Sequence, residues 1–434
     1  MTCAVDIIGD VHGQHSLLVE LLQALGYRKS ADSWRHPEGR RAIFIGDYLD
    51  RGPQPFEVVR LVCAMCQAGD ALAILGNHDS NAIAFATRRL VRNDGTLVYE
   101  FRPADAHRHA RDVIDGRSEP WDGWLRDHRE RSSGNRQPPA ALFKAYKNVS
   151  GHETTLSSMS HTQYQEVLGW LRRLPLWIEL PNLRCVHAAW IPQSQSALKS
   201  WAKGEQLKPL QLECASIHDA VDVLIDRMSN DSGTPSDSQW GNMLELPGRG
   251  EPESRRGPMI DVAELKPDHS PSVALERLLK GVEIRLPRGC TLADNGGEDR
   301  HHIRARWFDA AAGRTYHGHM LASDAQVSQI RLALGDRPID QPEPGIFPFH
   351  AHEAYPASAP PVFFGHYALQ GSGAPASLSP LAPNVACVDV HGGDHLLAYR
   401  FDGEGTLDPR KFVAVQRDPR ESGHHSTGRE SEVK

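Results

Sequence analysis

Near the N-terminus one pattern repeats three times: a short apolar run, a polar turn rich in glycine, then apolar positions at helical spacing. Ala4 to Ile8 precedes "HSLLVELLQALGY", whose leucines recur three or four residues apart. "RAIFIGD" leads through a Gly-Pro into "FEVVRLVCAMCQAG", ended by Gly69, and "ALAILGNHD" leads into "SNAIAFAT". Short apolar runs bounded by turn residues predict buried strands, and the 3.6-residue period predicts amphipathic helices. Strand, turn and helix in succession predict an α/β fold whose parallel or mixed sheet is covered by helices. In such sheets chemistry gathers in the loops at the carboxyl ends of the strands.

Those loops hold the polar residues: "GDVHG" (9–13), "GDYLDRG" (46–52) and "GNHD" (76–79). Asp10, His12, Asp47 and Asn77 each follow an apolar run directly, so one sheet edge can bring them together. The neighbouring glycines permit tight turns and positive φ. A single DxH is ordinary turn and capping chemistry; three such loops in order are not. Carboxylate oxygen, amide oxygen and imidazole nitrogen together suit borderline divalent ions such as Mn, Fe or Zn. Two ions need more than four ligands, and two further histidines stand at strand ends: His187 in "LRCVHAAW" and His366 in "PVFFGHYAL". "NVACVDVHGG" carries Asp389 and His391 in a less regular version of the same arrangement.

With these motifs in order, the sequence resembles the calcineurin-like metallophosphoesterases, in their phosphoprotein-phosphatase branch, and is similar to bacterial diadenosine tetraphosphatases. The resemblance implies a sandwich of two mixed sheets flanked by helices, with inserted accessory segments. It implies that Asp10 and His12 hold one metal, that Asp47 bridges two, and that Asn77, His187 and His366 hold the second. Two divalent ions, Mn first and Fe or Zn as alternatives, would activate a bridging hydroxide for in-line attack on phosphorus. Arg51 would clamp the phosphate. His78 would protonate the leaving oxygen, with Asp50 orienting its imidazole. Other branches have GHxH, where this chain has Ala368 at the last position. The branch also has a second phosphate-binding arginine. Arg304 and Arg306 in "IRARWF" are candidates for it, against a plainer reading as solvated residues of an alternating strand. Asp79 stands where eukaryotic protein phosphatases usually carry Glu.

Composition narrows the setting. A chain of 434 residues, 40% hydrophobic and 24% charged, can bury a full core. The formal net charge of −7 argues against stable nucleic-acid binding. It does not exclude a phosphate-bearing substrate, because bound metal reverses the local field. No apolar run approaches the ~20 residues of a membrane span, and Asp6 and Asp10 come too early for a signal peptide. Seven scattered cysteines fit reduced thiols and a cytoplasmic protein. Cys63 and Cys66 share a helix face and read as core residues.

The expected organisation is one metallophosphoesterase domain over 1–415, with insertions at about 100–145 and about 200–345, and a disordered tail over 416–434. In the second insertion "PSVALERLLKG" predicts a helix, and "VEIRL" and "IRARWF" predict strands. In the tail, His424 and His425 read as solvated. The motifs specify phosphoryl chemistry and leave the substrate open among a phosphorylated small molecule, a nucleotide such as a dinucleoside polyphosphate, and a Ser/Thr phosphoprotein. A metal-binding interaction module is the non-enzymatic alternative.

Overall fold

The N-terminal apolar runs pair side by side, and chain segments from the far C-terminus complete their sheet. The computed structural model describes residues 4–31, 33–87, 89–91, 97–100, 152–204, 271–287, 289–293, 299–309, 314–322, 324–339, 354–369, 378–389 and 395–417. Strand β1 (Val5–Ile8) is followed by α1 (His15–Ala24), β2 (Arg41–Phe44), α2 (Pro55–Gln67), β3 (Ala71–Ala73) and α3 (Asn77–Thr87). Then come α4 (Glu153–Ser158), α5 (His161–Leu171), β4 (Trp177–Leu180), β5 (Leu183–Val186) and α6 (Pro192–Gly204). After these lie α7 (Pro271–Lys280), β6 (Glu283–Arg285), β7 (His302–Arg304), β8 (Val362–Phe364), β9 (Val385–Cys387), β10 (His395–Phe401) and β11 (Phe412–Gln416).

Two mixed sheets result. One has the order β11–β10–β1–β2–β3, in which β1, β2 and β3 run parallel and β10 is antiparallel to β1, with Ile7 opposite Tyr399. The other has the order β9–β8–β5–β4, with β8 parallel to both β5 and β9. Alternation along the strands decides what faces what. Val5, Ile7, Ile43 and Ile45 from the first sheet share one buried cluster with Ile178, Cys185, Phe363 and Ala386 from the second. Their neighbours Ile8 and Phe44 point the other way, into the larger cluster with the leucines of α1 and the valines of α2. This is the expected sandwich, with an apolar layer between the sheets and helices outside.

The helix expected in "PSVALERLLKG" is α7, which packs on α6 and accepts Ala188 N–H at Leu278 O. The strand expected in "VEIRL" is β6; of "IRARWF" only Ile303 and Arg304 lie in a strand, β7, which pairs antiparallel with β6, Ile284 opposite Ile303, while Trp307 and Phe308 form a turn. The expected insertion at about 100–145, with His391, His424 and His425, lies outside the described residues. Residue 416 still belongs to β11, so the last strand runs to the point where the tail was expected to begin. Cys63 and Cys66 are free thiols, partly buried against the larger core. No helix among the described residues is long and apolar enough to cross a membrane.

Candidate metal centre

The carboxyl ends of β1, β2 and β3 open onto one depression, and β5 and β8 of the second sheet end beside it. Backbone bonds lock the loops together. Asp47 O accepts from His12 N–H at 2.8 Å, and Gly52 N–H donates to His12 O at 2.8 Å. The loops approach so closely that a Cβ on Gly52 would run into the backbone of residues 12 and 13, and one on Gly76 into Asp47. Positive φ is mostly not left to glycine. His12, Asp47, Asp50, Arg51 and His366 all adopt it, at 44°, 55°, 67°, 62° and 69°. Non-glycine residues held there store strain that the surrounding structure must sustain, a pattern concentrated at functional sites.

All of the expected ligands converge. Asp47 is buried and splits its two oxygens: Oδ2 lies 3.6 Å from His12 Nε2, and Oδ1 lies 3.5 Å from His187 Nε2. Asn77 Oδ1 lies 2.9 Å from His187 Nε2 and 2.7 Å from His366 Nδ1. The far nitrogens of two rings are tied to backbone. His12 Nδ1–H donates to Leu49 O, and His187 Nδ1–H donates to Ile45 O, at 2.9 and 2.8 Å. Such bonds fix the tautomer and leave Nε2 bare toward the centre. Two ligand groups have atoms within 4.8 Å of one another: His12, Asp47 and His78, and Asp10, Asp47 and His187.

The electrostatics ask for a cation. Burial, then Asp389, then Asp47 raise the Asp10 pKa well above the carboxylate range, and Asp10 Oδ1 is buried with no hydrogen-bond partner. Burial lowers His12 to about 3, lowers His187, and, with Arg304 next, lowers His366 well below its usual value. Neutral imidazoles and an unpartnered carboxylate oxygen fit divalent metal ions. Asp389, itself raised to about 6 chiefly by burial, accepts from Ala368 N–H at 2.7 Å.

Around this centre stand the groups that could handle phosphate. Arg51 is exposed at its rim. His78 Nδ1–H donates to Asp50 Oδ2 at 2.6 Å, leaving Nε2 as the free ring atom, and its ring meets that of His12 edge-on at 4.8 Å. The two candidate arginines separate. Arg304 reaches the site, donating weakly to His366 O at 3.4 Å with its guanidinium over the Tyr367 ring. Arg306 instead donates to Met320 O.

The structure also shows contacts that the sequence did not assign. Asp79 is fully buried and accepts three backbone N–H groups, from Asp47, Tyr48 and Gly76, at 2.8, 3.0 and 3.0 Å. It thereby staples the second loop to the start of α3. Burial and the Asp47 charge push its pKa up to about 8, while the three donors pull it back toward the carboxylate. His152, Thr155 and Tyr164 lie behind Asp50. Spacing from Asp79 to the "GDYLD" loop carries no periodic signal, and "GHETT" looks like an ordinary helix start.

The calcineurin-like phosphoesterase family model matches residues 4–211, a stretch that includes every one of these residues up to His187. Residues 4–211 are thus similar to the calcineurin-like phosphoesterases. The chain is similar to the asymmetrical bis(5'-nucleosyl)-tetraphosphatase PrpE of Halalkalibacterium halodurans, 44% identical over 87 residues, which is 20% of this chain and 35% of that protein. The protein of the same name from Bacillus subtilis is 41% identical over 75 residues, 17% of this chain and 31% of that one. The chain thus spans about a third of the length of these curated relatives. Among solved structures, the cold-active protein-tyrosine phosphatase of a psychrophilic Shewanella species aligns over 94% of this chain and 80% of its own, at 14% identity and a TM-score of 0.34.

Gly365, just before His366, offers a local test of the candidate metal centre. A Cβ there would overlap Asp10 Oδ1 and approach Ile45. Gly365→Ala should displace the Asp10 carboxylate and weaken Mn²⁺ binding by roughly 10–100-fold, the scale for disturbing a ligand's support. The fold should lose no more than about 1–3 kcal/mol. Calorimetric titration with Mn²⁺ and a thermal melt check both; unchanged metal affinity would mean that Asp10 is not a ligand.

Proposed function

We propose that the protein is a metal-dependent phosphoesterase with a two-metal centre. The observation that carries this reading is the Asp47 carboxylate, whose oxygens face two different sets of ligand atoms 3.6 and 3.5 Å away. Asp10 and His12 would hold one ion and Asn77, His187 and His366 the other, with Asp47 shared between them. Manganese is the preferred metal, with iron or zinc suited to the same donors. When bound, the pair supplies Lewis acidity toward the phosphoryl oxygens and makes water a competent nucleophile at neutral pH.

The chain's own groups do the rest. Arg51 pairs its planar fork with phosphoryl oxygens as they gain charge. Arg304, at His366, is the second cation able to meet a phosphate. His78 delivers the proton to the leaving oxygen from Nε2. Burial alone would lower its pKa, but Asp47 and the bond to Asp50 overcome this and raise it above the ordinary imidazole value, the direction a proton donor needs. Asp50 orients that ring.

For the substrate, similarity to the PrpE tetraphosphatases favours a dinucleoside polyphosphate, with a Ser/Thr phosphoprotein as the competing class. A cytoplasmic setting suits the free thiols. Purified protein with Mn²⁺ should turn over diadenosine tetraphosphate faster than phosphopeptides, cyclic nucleotides or single-stranded oligonucleotides. Preference for phosphopeptide would move the assignment to the phosphoprotein class. No metal-dependent turnover of any of these, nor of p-nitrophenyl phosphate, would leave a metal-binding interaction module.

Arg51→Ala should keep both ions, because a guanidinium cannot ligate a cation. Its kcat should fall by roughly 10²–10³-fold, the scale for losing one oriented charge partner in the transition state. Wild-type kcat in the variant would make the arginine structural.

A further inference from the structure

Asp50 is held from both sides. Oδ2 accepts from His78, as described above. Oδ1 accepts from His152 Nδ1–H at 2.5 Å and from the Thr155 hydroxyl at 2.7 Å, while Asp50 N–H donates to Thr155 Oγ1 at 2.9 Å. His152 sits at the N-cap of α4, where its carbonyl accepts Leu156 N–H. Its Nε2 lies 3.0 Å from the Tyr164 hydroxyl, which donates to Ala82 O at 3.2 Å. Tyr164 is presented by α5, whose start is fixed by a reciprocal capping box between Ser160 and Gln163. Ala82 belongs to α3, the helix that begins with Asn77 and His78. The chain of contacts therefore closes on itself: His78, Asp50, His152, Tyr164, and back to the helix that carries His78.

All of these groups except His78 are buried, with Asp50 2%, His152 3%, Thr155 0% and Tyr164 0% exposed. Asp50 also holds its positive φ. An apolar side chain could fill the space behind it as well as an imidazole does. What the imidazole adds is a donor on the oxygen that His78 does not use. Burial would raise the Asp50 carboxyl, but His152 and then His78 hold it far below the usual carboxylate range.

We propose that His152 is a positioning residue: it fixes the Asp50 carboxylate from behind, and through it the orientation of the His78 imidazole at the metal edge. The inference rests on the reading of His78 as the proton donor, and the experiment separates the two.

Asn and Gln divide the contacts of His152, because an Asn amide nitrogen falls near the place of Nδ1 and a Gln amide nitrogen near that of Nε2. The variants His152→Asn and His152→Gln, each alone and combined with His78→Asn, are assayed with Mn²⁺ on an alkyl phosphate and on p-nitrophenyl phosphate. His152→Gln should lower kcat on the alkyl phosphate by roughly 10–100-fold, as losing an outer-shell partner typically does. KM, metal content and turnover of p-nitrophenyl phosphate should stay within about twofold. His152→Asn should restore most of the lost rate, although it fills the space less well. In the His78→Asn background, His152→Gln should cost no more than about twofold further, because the residue it acts through is gone. Equal losses in both backgrounds, or better function with Gln than with Asn, would overturn the proposal and leave His152 as packing. The background comparison needs only His152→Gln to fold, and the Gln–Asn comparison needs both variants folded; the melting temperature followed alongside checks this. His78→Asn alone tests the proton-donor reading: equal losses on both substrates would defeat that reading, while the paired backgrounds still decide whether His152 acts through His78.

Discussion

Asp47→Asn should abolish binding of both ions together. The substituted amide keeps one oxygen, so His78 N–H, which donates to Asp47 Oδ1 at 2.8 Å, retains its acceptor and the turn stays formed. The Asp47 backbone N–H also still reaches Asp79. What disappears is the negative charge and the second oxygen, the two properties that let one side chain serve both ligand sets. Burial would raise the Asp47 pKa, but His187, His78 and His12 around it hold it down, so the group is a carboxylate at neutral pH. The isosteric amide therefore removes a full charge. Metal content of the purified variant should fall below one ion per chain. Activity should fall further than the roughly 10²–10³-fold that losing one oriented donor costs, since the source of the nucleophile goes as well. Two ions bound with undiminished affinity would end the bridging assignment.

His78→Asn should divide substrates by leaving group. An alkoxide needs a proton as the P–O bond breaks, whereas p-nitrophenolate departs without one. General acid catalysis is typically worth ~10²–10⁴-fold when the proton is required. The variant should lose that much on an alkyl or phosphoserine substrate, lose far less on p-nitrophenyl phosphate, and keep both metals. Asp50→Asn should follow the same pattern more mildly, since its amide keeps one oxygen for only one of the two histidines that the carboxylate serves, and leaves the ring in place. Steady-state kcat on the two substrates checks this. Matching losses would make the histidine a phosphate-binding or structural group.

The strand-end motifs were legible because the fold puts chemistry where the apolar runs stop. Asp10, His12, Asp47 and Asn77 are each contiguous with the strand that delivers them, so sequence order alone places them on one edge. His187 and His366 follow the same rule in the second sheet, after β5 and β8. The layers were legible for a related reason: alternate residues of β1 and β2 divide between two apolar clusters, as strands buried on both faces must.

The rest depends on contacts between distant segments. His152 and Thr155 reach Asp50 from about a hundred residues away in the chain, and nothing periodic in "GHETT" says which loop it will close over. The alternation of β7 was read as solvated arginines. Arg304 instead turns its polar end toward His366, because β7 belongs to a small sheet set against the site. Positive φ was expected of the motif glycines. Gly13 and Gly46 do adopt it, at 66° and 102°, but the candidate ligands His12, Asp47 and His366 and the catalytic candidates Asp50 and Arg51 adopt it too. At Gly9, Gly52, Gly76 and Gly365 the requirement is room: a Cβ would strike Val388 O, the first loop, Asp47 and Asp10 respectively.

The most direct measurement of the two-metal claim is a titration of metal-free protein with Mn²⁺, followed by electron paramagnetic resonance and by turnover of p-nitrophenyl phosphate in the same samples. Two ions sharing Asp47 would lie close enough to couple magnetically, at roughly 3.5–4 Å. The expected result is binding of two equivalents per chain, the spectrum of an exchange-coupled pair, and activity that rises with that spectrum. Saturation at one equivalent, or two uncoupled Mn²⁺ signals with full activity, would contradict a shared centre built on Asp47.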